Sequence, residues 1–274
     1  MSQARILAIG AHPDDVDIKV GGTTALWKQA GCEVLLISAT DGSGGHHEQK
    51  GMELAKRRKA EAAAAGKVAG CEYRVLQFPD GGLVPNLENR LEIIRLIRNF
   101  KPELVLTHRP NDYHPDHRYT SQLVQDSAYM VTVPAICPET PHLRYNPVFG
   151  YFADDFQKPI PFQADVVVDI GSVFSTVMSM LHCHESQFYE WLPYNQVFME
   201  LMPKECPDRK GWLEGIMRKW LSPLADRFRS KVMETYGSKL GQGVQLIEAF
   251  EISEYGASLN EEKKARLFPF LPRG

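Results

Sequence analysis

Short apolar runs that end in a turn and lead into a helix-patterned stretch recur through the first half of this chain, a rhythm that few folds accommodate. Residues 5–10 read as a strand, and 20–30 as a helix entered through Gly21-Gly22-Thr23. Residues 33–39 form a second strand, leading through the Gly-rich loop 41–47 into an Ala- and Lys-rich helix over 48–68. A third strand over 73–78 ends in the turn Pro79-Asp80-Gly81-Gly82. Residues 87–99 are helical by spacing, and Pro102 precedes a fourth strand over 103–107. The alternation predicts a doubly wound, mostly parallel, Rossmann-like α/β sheet flanked by helices.

Beyond His117 the spacing predicts a helix to about residue 130, an irregular Pro-rich stretch over 133–147, strands over 148–153 and 166–170, and a helix over 171–185. Residues 210–236 are amphipathic, with a stripe of Trp212, Leu213, Ile216, Met217, Trp220 and Leu221 read as core or subunit packing. Pro223 is expected to break or kink that helix. No repeat or linker divides the chain, so one α/β domain over 1–274 is expected, with a helical and strand elaboration from about 200 onward.

The composition, 43% hydrophobic and 24% charged, is that of an ordinary globular protein. A net charge of -3 offers no electrostatic footprint for nucleic acid or an anionic membrane. The sequence contains neither a membrane-spanning apolar run nor a secretory signal. The five cysteines are odd in number, widely spaced and without a CxxC pair. A reduced, cytoplasmic setting is therefore the expectation, and any metal must be held by His and Asp.

Two turns carry such residues. One reads Ala11-His12-Pro13-Asp14-Asp15; the other reads His108-Arg109-Pro110-Asn111-Asp112-Tyr113-His114-Pro115-Asp116-His117-Arg118. In an open parallel sheet, turns like these meet in a crevice outside the strands' carboxyl ends. A catalytic zinc site takes three protein ligands and leaves a position for water or substrate. His12, His117 and one carboxylate of the Asp14–Asp15 pair make such a set, and the spacing leaves open which aspartate ligates. The other can accept a proton from an attacking water. His114 stands where an oxyanion partner is needed, and Asp112 or Asp116 can orient an imidazole. One Zn2+ per chain is expected, another divalent ion being compatible with the same donors.

These motifs resemble the LmbE-like, or PIG-L, family of zinc-dependent N-acetylglucosaminyl deacetylases. The resemblance extends to Leu54-Ala55 with Arg58 and Glu61, to Asp80-Gly81, to His184-Glu185-Ser186-Gln187 and to Glu248-Ala249-Phe250-Glu251. It implies that His12, Asp15 and His117 bind zinc, that Asp14 is the general base, and that His114 stabilises the tetrahedral intermediate or protonates the leaving amine. It also implies substrate contacts at Arg58, Asp80 and His184. The substrate would be a small molecule or glycoconjugate bearing an N-acetylglucosamine-type amide, and the family's oligomers make a homo-oligomer an expectation.

The chain departs from the family where Asp17 replaces a usual Glu, where Lys19 and Val20 replace small residues, and where Met178 lies in a stretch that often carries Lys. These changes bear on substrate identity more than on hydrolysis. The loop over 41–47 lacks a nucleotide-binding pattern and reads as a flexible rim, with His46 or His47 within reach of substrate. Two other functions stay open: a sugar-binding protein that keeps the metal without catalysis, and a metal-dependent hydrolase of a different bond. The intact set of His12, Asp14, Asp15, His114 and His117 argues against the first. The scarcity of basic residues around it argues against a phosphoesterase.

Overall fold

The computed structural model describes residues 3–195 and 206–272. Its elements run β1 (Arg5–Gly10), α1 (Asp15–Gln29), β2 (Glu33–Thr40), α2 (Gly51–Ala69), β3 (Glu72–Phe78), α3 (Leu87–Phe100), β4 (Leu104–Thr107) and α4 (Pro115–Ser127). Then come β5 (Val148–Phe152), β6 (Val166–Asp169), α5 (Phe174–Cys183), α6 (Leu192–Asn195), α7 (Arg209–Arg227), α8 (Arg229–Gly241), β7 (Ile247–Ile252) and α9 (Glu261–Leu267). The seven strands form one sheet in the order β3-β2-β1-β4-β5-β7-β6. β1 to β5 pair in parallel, whereas β7 runs antiparallel to both β5 and β6. The sheet is therefore mostly parallel, as the alternation predicts, and mixed only through the reversed C-terminal strand β7.

Strands β1, β2 and β4 are almost wholly buried, because helices cover both faces. Ile6, Ala8, Leu36 and Leu106 face a core shared with α1, α2 and α5. Leu7, Ile9, Ile37 and Val105 face the one under α3 and α4. Gly22 lets α1 lie against the end of β6: a Cβ there would come within 2.5 Å of Ile170. The carboxylate of Glu248 on β7 then accepts the Gly22 and Thr23 N–H groups, each at 2.7 Å, and the Thr23 hydroxyl.

Two expectations need correction. Helix α1 begins at Asp15 rather than at residue 20, so one proposed ligand, Asp15, opens its first turn. Pro223 does not break α7, which continues to Arg227; the break falls at Phe228. The carbonyl that Pro223 leaves without an amide partner is that of Lys219, and the Ser222 hydroxyl donates to it at 3.4 Å. Among the described residues no helix is long and apolar enough to cross a membrane.

Candidate metal centre

β1 and β4 lie side by side, with Ile9 opposite Thr107. From them the chain winds outward in opposite directions, to β2 and β3 on one flank and to β5 on the other. Their carboxyl ends thus bound the topological switch point, where open α/β sheets bind ligands. Both motif turns open there. In the first, the N–H groups of Asp14 and Asp15 bond the His12 carbonyl at 2.9 and 3.2 Å, and the His12 N–H bonds Asp15 Oδ2 at 2.7 Å. In the second, His114 caps α4, its Nδ1 accepting the Asp116 N–H at 3.2 Å.

This folding brings three side chains into a small triangle. His12 Nδ1 lies 3.2 Å from His117 Nε2 and 3.4 Å from Asp15 Oδ2, and His117 Nε2 lies 3.5 Å from Asp15 Oδ1. Zinc binds nitrogen at about 2.0–2.1 Å in a tetrahedron, so two of its ligand atoms lie about 3.3–3.4 Å apart. The donors and their spacing therefore fit such an ion. Overlapping sets that could hold a metal are His12–His114–His117, Asp15–His108–His117 and His12–Asp80–Asp116. His108 is a poor ligand, because its Nε2 lone pair takes the Ala11 N–H at 3.0 Å. Burial and the neighbouring His117 lower its pKa to about 4, so it stays neutral.

Carboxylates back the imidazoles. Asp116 Oδ2 and Asp80 Oδ1 each lie 3.3 Å from His12 Nε2. Asp116 is itself held by the Gly81 N–H at 2.7 Å. Asp112 Oδ1 lies 3.0 Å from His117 Nδ1, although not in line with an N–H. Burial alone would lower the pKa of His12, but Asp116, Asp15 and Asp80 raise it well above the usual imidazole value. Burial likewise opposes ionisation of Asp15, yet the imidazoles of His117 and His108 hold it well below the ordinary carboxylate range. The cluster strongly favours positive charge at its centre.

Asp14 is 7% exposed, and Oδ1 accepts from Arg58 Nη2 at 3.0 Å. Burial raises its pKa, while the Arg58 charge pulls it down. Arg58, expected at the substrate, is 2% exposed; its other contacts are the Gly42 carbonyl at 3.3 Å and Asp80 at 3.6 Å. Asp80 also accepts the Gly44 N–H at 3.0 Å. His184 does not fit its expected place: it is wholly buried, with Nε2 3.0 Å from Asp17 Oδ2, and exposes no atom to a ligand. Asp17 is fully buried too, and Lys19 reaches the Ala153 carbonyl at 3.0 Å instead of the crevice. His108 ends its strand as a structural residue, holding the first motif turn through the Ala11 N–H. Its place after the carboxyl end of β4, opposite the end of β1, is what brings it to Ala11.

A cluster of His and Asp side chains spaced to hold a metal, with the Arg58-paired carboxylate of Asp14 beside it at the switch point of the sheet, defines the class of site. The family profile described as PIG-L, GlcNAc-PI de-N-acetylase, matches residues 7–128. A diacetylchitobiose deacetylase of Thermococcus kodakarensis is 33% identical over 207 residues, covering 69% of this chain and 74% of the relative. The chain belongs to the PIG-L (LmbE-like) family. Among solved structures, an N,N'-diacetylchitobiose deacetylase from Pyrococcus horikoshii superposes with a TM-score of 0.67 at 24% identity, covering 92% of this chain and 84% of that one. A 4-carboxy-2-hydroxymuconate hydratase from Pseudomonas putida gives 0.72 at 17% identity, covering 94% and 99%. Fold likeness thus spans different chemistries, and the site must carry the functional argument.

Proposed function

We propose that this protein is a zinc-dependent deacetylase that hydrolyses the acetamide of an N-acetylglucosamine-type residue in a small molecule or glycoconjugate. The observation that carries the reading is the triangle of His12, Asp15 and His117 with the unligated carboxylate of Asp14 beside it. His12, Asp15 and His117 would hold the ion, which when bound would acidify a water and polarise the amide carbonyl.

The remaining steps belong to side chains. Asp14, ionised and aimed by Arg58, takes the proton of the attacking water and gives it to the amine nitrogen as the C–N bond breaks and acetate is released. Because His114 Nδ1 accepts the Asp116 N–H, neutral His114 carries its proton on Nε2. Burial, with His12 and His117 close by, lowers its pKa and keeps it neutral. His114 therefore donates a hydrogen bond to the oxyanion. Asp112 and Asp116 orient His117 and His12, and Asp80 links His12 to Arg58. Arg58 and Asp80 act through Asp14 and His12 more than through the sugar.

The test is acetate release by zinc-loaded protein from N-acetylglucosamine and N,N'-diacetylchitobiose. Stoichiometric zinc with no release from a panel of N-acetylhexosamine conjugates would sink the proposal. The likeness of the named relatives' activity supports the substrate class, since the first of them is a diacetylchitobiose deacetylase.

A further inference from the structure

The loop after β2 does more than rim the crevice. Its inner residues support the site, with Gly44 N–H on Asp80 and the Gly42 carbonyl on Arg58. The Gly45 carbonyl accepts Gln187 Nε2 at 3.0 Å, tying the loop to the turn over Ser186–Trp191. His46 fixes its outer half. That imidazole is 1% exposed, its Nε2 lies 2.8 Å from Glu190 Oε2, and its Nδ1 accepts the N–H groups of Glu48 and Gln49. Arg57 clamps Glu190 through two bonds of 2.7 and 2.6 Å.

That anchor presents an array of near-parallel rings. His46 and His47 stack at 4.6 Å and 19°, and His47 and Tyr194 at 4.0 Å and 8°. Trp191 lies 6.0 Å from Tyr194 at 24°. Tyr194 of α6 is 58% exposed, so aromatic surface faces solvent where α6 stacks on His47 of the loop that contacts Asp80 and Arg58. Aromatic faces are negative, and the C–H groups on one side of a pyranose offer a flat, weakly positive complement. Glu190 and Arg57, both part-exposed, stand beside the array as hydroxyl partners.

We propose that Tyr194, His47 and Trp191 form a stacking subsite for the sugar ring adjoining the N-acetylglucosamine-type residue that is deacetylated. The inference rests on the deacetylase reading for the ring at the metal centre, but the subsite can be tested apart from it.

Kinetics on N,N'-diacetylchitobiose and N-acetylglucosamine should show a preference for the disaccharide expressed in KM. Tyr194→Ala should cut that preference roughly three- to tenfold, and Tyr194→Phe should keep it. An unchanged preference in Tyr194→Ala overturns the subsite, and so does a change in sedimentation that leaves the preference intact, which would mark a subunit contact. Independently, titrating metal-free protein with chitobiose should perturb Trp191 fluorescence at lower concentrations than glucosamine does. Trp191→Phe should abolish that signal. Equal responses to the two sugars, or none, count against the subsite. A disaccharide-specific response in a protein whose zinc-loaded form releases no acetate from N,N'-diacetylchitobiose would leave the subsite standing and remove the deacetylase reading.

Discussion

The backbone N–H of Asp116 donates to Nδ1 of His114 at 3.2 Å, so a helix cap fixes which nitrogen of that imidazole carries the proton. The free Nε2–H is left to meet a ligand. His114→Ala should therefore lower kcat about 10²–10³-fold while the zinc content stays at that of the wild type. Metal analysis beside steady-state kinetics decides it: loss of zinc from His114→Ala would make His114 a ligand.

Asp14 and His12 should separate cleanly. Asp14→Asn keeps the donor triangle and should lose about 10²–10⁴-fold in kcat with full zinc occupancy. His12→Ala removes a triangle corner and should lose the metal. Equal metal loss in both variants would refute the assignment of Asp14 as the base.

Arg58 should set the acid limb of activity. Burial raises the pKa of Asp14, and the Arg58 charge lowers it. Removing that charge raises the pKa further, and the base acts only when ionised. The acid limb of kcat/KM should thus move to higher pH in Arg58→Ala and partly return in Arg58→Lys. A limb at the wild-type position in Arg58→Ala would mean that Asp14 does not depend on Arg58.

Glu248 should make stability depend on pH. Burial pushes its pKa up to about 7 although Thr23 and Gly22 donate to it. A folded pKa above the unfolded one means that the native state holds the proton more tightly. The stability this contributes is fully present below about pH 4.5 and is lost as pH rises through about 7. Glu248→Gln should flatten that slope in denaturant titrations. It should also cost about 1–3 kcal/mol, because an amide N–H then faces donors from α1.

The two glycines of α1 should respond unequally. A Cβ on Gly22 meets Ile170 at 2.5 Å, whereas one on Gly21 finds its nearest neighbour, Met180, at 3.5 Å. Gly22→Ala should destabilise by about 1–3 kcal/mol in denaturant unfolding, and Gly21→Ala should be tolerated.

What the sequence disclosed followed from local pattern. The strands carrying the motif turns are short and apolar, so their alternation with helices located β1 to β4 and the crevice between them. The start of α1 was hidden because Asp15 and Asp17 fill its first turn, and polar residues there break the apolar periodicity. A strand was expected in the C-terminal elaboration, but the bounds of β7 were not legible, since Glu248 points a carboxylate into a buried contact with α1. His184 could be read as a chemical residue, but not as the buried partner of Asp17, because that contact joins α1 to the segment after α5. The ring array of His47, Trp191 and Tyr194 depends on a contact between the loop after β2 and the distant helical segment over 186–195, and no local period encodes it.

The clasp between Glu248 and α1 also orders events during synthesis. It joins residues 226 positions apart, and β7, which carries it, lies between β5 and β6 although it is the last strand made. Both motif turns leave the ribosome long before that strand does. Until then the helix bearing Asp15 packs on the sheet without its C-terminal clasp. The most recognisable part of this chain is thus made first and secured last, so a nascent chain that has already displayed the whole motif is not yet the finished site.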